Sequence, residues 1–136
     1  MMLAPVKLGE VDDWIEKIDP LLERIAAESR GTLSTEGIWA NIAQGHWWLA
    51  AINDGKAIVV LEPIRFLTGK NVLEIVGLAG DGMKEWESAV EELEAVAKKL
   101  GFHRLRAGGR KGWARVAARH GWKETRVIVE KDLFDA

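Results

Sequence analysis

Val11, Trp14, Ile15 and Ile18 recur three and four residues apart, the spacing that gathers side chains on one face of an α-helix. Leu21, Leu22, Ile25 and Ala26 continue that apolar side beyond Asp19-Pro20. The Asp-Pro pair reads as a cap with proline at the first position of a new or kinked segment. Arg30-Gly31 ends the region. A second, short helix carries Ile38, Trp39 and Ile42, with Ser34 or Thr35 to cap its start and Gly45 to stop it. A short strand is expected before these helices, around Pro5–Leu8.

The period changes at His46. His46–Ile52 reads as a strand, Asn53-Asp54-Gly55 as a hairpin turn, Lys56–Leu67 and Val72–Leu78 as two further strands. Trp86, Ala89, Val90, Leu93, Val96, Ala97 and Leu100 then form one continuous helical stripe, followed by Gly101. Acids in its first turn and Lys98-Lys99 in its last suit the helix dipole. Arg104–Ala107 reads as a short strand, Gly112–His120 as a short helix and Arg126–Leu133 as a final strand. The order β-α-α-β-β-β-α-β-α-β predicts an α/β (α+β) fold over residues 1–136. Its mixed sheet has about six strands, antiparallel through the meander and parallel across the long helix.

Composition narrows the chemistry. No repeat or linker divides the 136 residues, so one domain is expected. With no cysteine, disulfides, thiolate metal sites and thiol nucleophiles are excluded. Three scattered histidines show no metal-ligand spacing, so no metal is expected and surface or capping roles are favoured. With no tyrosine, a phenol proton donor is excluded too. No secretion signal and no apolar run long enough for a membrane span are found, so a cytoplasmic or virion location is expected. The net charge of −2 hides a basic segment: Lys98–Arg126 holds ten Lys or Arg and one acid.

Val76-Gly77-Leu78-Ala79-Gly80-Asp81-Gly82-Met83 places three glycines between a strand end and a helix start. Such a loop either makes the turn alone or lets backbone amides approach a phosphate at the helix N-terminus. Loop and element order together resemble the GNAT acyltransferase superfamily, whose members carry Arg/Gln-x-x-Gly-x-Gly/Ala here to hold the pyrophosphate of an acyl-coenzyme A. Gly80 and Gly82 match the two glycine positions, while Gly77 stands where Arg or Gln is usual. Gly109-Arg110-Lys111-Gly112-Trp113, Gly121-Trp122 and Lys131-Asp132-Leu133 resemble the small GNAT-like proteins of tailed bacteriophages.

The resemblance implies acetyl-CoA or another acyl-CoA as donor and an amine as acceptor. It implies a coenzyme site on Gly77, Leu78, Ala79, Gly80, Gly82 and Met83. A tyrosine general acid is frequent in the superfamily, and Ala117 stands at its position. Glu74 matches the region of a glutamate base, and Glu62 is a weaker alternative; an ordinary solvated strand carboxylate is the competing reading for Glu74. Arg110, Lys111, Trp113, Arg115 and Arg119 offer a phosphate-contacting or partner surface, unless they pair with this chain's own acidic helix. The slightly acidic chain and the lack of a known module disfavour nucleic acid. The alternative function is a catalytically inactive GNAT-like phage protein, a virion component or host-protein binder. Trp14, Trp39 and Trp86 are expected in the core, and Trp47 and Trp48 on opposite sides of the sheet.

Overall fold

In the computed structural model, residues 3–80, 83–108, 115 and 117–134 are described. They form β1 (Leu3–Pro5), α1 (Val11–Glu28), α2 (Thr35–Ala43), β2 (Trp48–Ile52), β3 (Ala57–Arg65), β4 (Asn71–Gly80), α3 (Met83–Lys99) and β5 (Arg104–Ala107). A 3-10 turn, Leu8–Glu10, leads into α1. One mixed sheet in the order β1-β2-β3-β4-β5 is antiparallel from β1 to β4 and parallel between β4 and β5. The α/β (α+β) class and the meander therefore stand.

The sheet buries both faces. Ala50, Ile52, Val59, Leu61, Leu73 and Ile75 meet Ala89, Leu93 and Ala97 of α3 on one side. Leu49, Ala51, Ile58 and Val60 meet Ile18, Leu22 and Ile25 of α1 and Ile38 and Ile42 of α2 on the other. Consecutive tryptophans divide between these faces, as strand alternation requires. Trp47 packs toward α1 and α2, whereas Trp48 stands edge-on to Phe102 with ring centroids 5.9 Å apart.

Local signals explain most element ends. Ser34 Oγ accepts the Gly37 backbone N–H at 3.0 Å, the N-cap that lets α2 start there. At the end of α3 Gly101 takes φ +91°, and the amides of Gly101 and Phe102 bond back to Lys98 and Ala97. That closure leaves few helix carbonyls orphaned.

Four expectations are corrected. Pro20 does not begin a segment; it lies inside the single helix α1, whose buried Ile18, Leu22 and Ile25 carry one apolar face straight past it. The first strand is Leu3–Pro5 rather than Pro5–Leu8. Ile15 and Leu100 sit at the margins of their stripes and are exposed. Residues 126–133 make no strand; the sheet has five strands among the described residues, close to the expected number. Trp14 and Trp39 are half-buried against the α1/α2 core, while the side chain of Trp86 lies outside the described residues.

Candidate functional site at the parting of two strands

β4 and β5 pair only from Val72 with Arg104 to Ile75 with Ala107. Beyond Ile75, β4 runs on to Gly80 while β5 ends, and among the described residues nothing bonds that side of Val76–Gly80. A parallel strand stripped of its neighbour offers backbone N–H and C=O groups to a ligand. α3 begins three residues past the end of β4, so the positive end of its dipole faces the same region.

A β-bulge lies just past the last β4–β5 pair. Leu61 faces Ile75 and Val60 faces Gly77, so Val76 has no partner across from it on β3. One extra residue bends its strand and raises the local twist. Small residues follow because the bent strand runs close to its neighbours. A Cβ on Gly77 would lie 2.5 Å from Ile25 Cγ2. At Gly80, with φ +150°, it would run into the Ala57 Cβ and lie 2.7 Å from its Cα. These two glycines thus have packing reasons of their own. Leu78 packs toward α3 and Ala79 toward α1. Gly82 and the Met83 side chain lie outside the described residues.

Just before the parting, a charged row crosses the sheet. Glu62, Glu74 and Arg106 are neighbours in register on β3, β4 and β5. Arg106 Nε donates to Glu74 Oε1 at 3.0 Å and its Nη2 donates to Oε2 at 3.3 Å. Both side chains are largely shielded, at 21% and 26% exposure, and the Arg106 guanidinium lies 5.4 Å from the Phe66 ring centre. Glu62 is half-buried, and no described residue bonds its carboxylate. Strand alternation puts Arg104 and Arg106 on one side, but the sequence does not show that Arg106 meets Glu74, because only the parallel register places them together. His103 clips the strand starts. Its Nδ1 accepts the Asn71 N–H, and its own N–H donates to Asn71 O.

The basic segment divides. Arg110, Lys111 and Trp113 lie outside the described residues. Arg115 is helical and exposed. Arg119 Nη1 lies 3.7 Å from Glu87 Oε1, and His120 Nδ1 lies 3.6 Å from Glu91 Oε1. Trp122 Nε1 donates to Glu94 Oε1 at 2.7 Å. The end of this segment thus rests on the chain's own acidic α3. Ala117 is half-buried, and its carbonyl accepts the N–H groups of His120 and Trp122. Among the described residues no His/Asp/Glu group could hold a metal ion, and no helix is long and apolar enough to cross a membrane.

No family model matches this sequence, and no curated protein matches it either. Solved structures do match. An acetyltransferase of Trypanosoma brucei superposes with a TM-score of 0.71 at 13% identity, over 96% of this chain and 98% of its own. Glucosamine-6-phosphate N-acetyltransferase of Arabidopsis thaliana gives 0.69 at 15% identity, over 98% and 100%. A predicted acetyltransferase of Clostridium acetobutylicum, solved with acetyl-CoA, gives 0.63 at 16% identity, over 96% and 95%. The chain has the fold of the GNAT acetyltransferases. Identities this low speak for the fold alone.

Proposed function

We propose that this protein binds an acyl-CoA along the end of β4 that runs on past β5 and transfers its acyl group to an amine. The observation that carries this reading is the unpaired side of Val76–Gly80 beyond the last β4–β5 pair. The extended amide-bearing arm of a coenzyme A can bond there as a strand would. One neighbour of the same fold was solved with acetyl-CoA. Gly77, Leu78, Ala79 and Gly80 supply the backbone; Gly82 and Met83 continue it to the start of α3, where the pyrophosphate belongs. Arg110, Lys111, Trp113, Arg115 and Arg119 remain the proposed outer phosphate or partner contacts.

Acyl transfer forms a C–N bond and breaks a C–S bond; the amine loses a proton and the thiolate gains one. Two carboxylates sit across from each other on β3 and β4, on the α1/α2 face. They attract the acceptor as an ammonium ion, which gives one proton to solvent before attack and loses the second as the C–N bond forms. Glu74 is occupied by Arg106, so it acts as a positioning residue. Glu62, whose carboxylate no described residue bonds, takes the proton. No tyrosine can protonate the thiolate, and water does so. Holding amine and thioester together supplies the remaining advantage.

Calorimetry with acetyl-CoA tests the reading: binding in the micromolar range is expected, and none at millimolar ligand overturns it. A second reading, a catalytically inactive phage protein of the virion or a host-protein binder, is favoured by one feature. Ala117 stands where the superfamily often keeps its tyrosine. Under that reading no amine is acylated, even where coenzyme binds.

A further inference from the structure

One end of the sheet is basic and apolar at once. β3 and β4 turn there through Phe66–Lys70, where the Phe66 amide donates to Lys70 O and the Gly69 amide to Phe66 O. α3 turns into β5 beside it, because Asn71 and His103 exchange two hydrogen bonds that clip the turns together. Leu67 stands wholly in solvent, and Phe66 and Leu100 are 37% and 59% exposed. Arg65, Lys70, Lys98, Lys99 and Arg104 are exposed around them, and no described residue pairs with any of the five. Neither 63–73 nor 95–107 contains an Asp or Glu. The first acids inward along β3 and β4 are Glu62 and Glu74, and Arg106 already holds Glu74.

We infer that this end docks on a bilayer surface rich in anionic lipid. Surface cations gather beside acidic headgroups, and apolar side chains between them sink to the boundary with the acyl chains. Shape selects this occupant. Leu67 projects from a turn, so a folded partner would have to bring a pocket for it, whereas a fluid interface needs no matching form. A nucleic-acid backbone would meet the cations but leave Leu67 and Leu100 uncovered. The Phe66 ring, which a base would stack on, already lies 5.4 Å from the Arg106 guanidinium. Docking is peripheral, since among the described residues no helix is long and apolar enough to cross a membrane. β4 has this turn at one end and Val76–Gly80 at the other, so a docked chain holds Val76–Gly80 away from the lipid. The inference stands on the charge and exposure of this end, independently of any activity.

Co-sedimentation of the full chain with vesicles tests it. Vesicles of about 30% phosphatidylserine in phosphatidylcholine should carry the protein down, and pure phosphatidylcholine should bind it at least about tenfold more weakly. About 0.5 M sodium chloride should release it, as screening of the cations requires. Leu67→Asp should weaken binding roughly tenfold, and Lys98→Glu with Lys99→Glu should weaken it by at least as much. All three side chains are exposed, so far-UV circular dichroism of both variants should match the wild type. Protein left in the supernatant with anionic vesicles, equal binding to neutral ones, or a Leu67→Asp variant that binds like the wild type would each overturn the proposal. Binding to soluble poly-glutamate but not to vesicles would assign this end to an acidic protein and overturn it as well.

Discussion

Arg106 on β5 grips both carboxylate oxygens of Glu74 on β4, at 3.0 and 3.3 Å, one residue pair before β5 ends. The ion pair ties together the last stretch where these strands run side by side. Charge-assisted, two-pronged bonds of this kind are stronger than neutral ones. Arg106→Met leaves a shielded carboxylate without its partner, and a loss of about 1–3 kcal/mol is expected from urea unfolding. Glu74→Leu added to Arg106→Met should recover most of that loss, since no charge is then stranded.

Glu62 and Glu74 should differ in kinetics. Glu62→Gln should lower kcat/KM for amine acylation by on the order of 10²-fold, the usual weight of a general base. Glu74→Gln should cost less than about tenfold and raise KM for the amine more than it lowers kcat. Thiol release serves as the readout, and a protein without cysteine contributes no background. Equal losses in both variants would remove the division of roles.

Coenzyme bound along β4 should protect that strand from hydrogen exchange. Peptides spanning Val76–Gly80 should exchange more slowly with saturating acetyl-CoA, while those from β1 should not change. Protection confined to other parts of the chain would count against the strand-like mode of binding.

Gly77 and Gly80 should resist replacement for different reasons. Gly77→Ala drives a methyl into Ile25, and a loss of about 1–3 kcal/mol is expected, as for other overpacked cores. Ile25→Val in the same chain should restore part of it, because the obstruction is a side chain. Gly80→Ala should be rescued poorly by Ala57→Gly. Ala57 Cα at 2.7 Å and the Lys56 carbonyl oxygen at 3.0 Å would remain in the way. Melting curves of the two pairs decide the matter.

Trp48 and Phe102 should show measurable coupling. Their edge-to-face contact joins β2 to the turn before β5 across the α3 face. A cycle of Trp48→Ala, Phe102→Ala and the double variant should give about 0.5–1.5 kcal/mol. A value near zero would mean that each ring packs independently.

Sequence pattern was most informative where a structural choice depends on neighbours a few residues away. Arg104–Ala107 forms the expected strand to the residue, framed by the Gly101 helix stop and Gly108. Ser34 caps α2, and Gly45 lies just past its end. Choices settled across the sheet were not legible. Residues 126–133 have the composition of a strand and form none, because composition does not specify the backbone partners a strand needs. Asp19-Pro20 carries a start signal that the continuous buried face of α1 overrides. Asp19 Oδ1 instead accepts the Trp39 indole N–H at 2.8 Å, tying α1 to α2. Glu74 and Arg106 lie 32 residues apart, and only the parallel register brings them within bonding distance.

Val76 makes the site a matter of counting. Its neighbours on β4 keep regular partners on β3, so without this one residue the ladder would run unbroken from Asn71 to Gly80. A chain with Val76 deleted should be flatter through this stretch, at the cost of the packing that Val76 makes on the α1/α2 side. One inserted residue sets where the pairing of β3 with β4 breaks step.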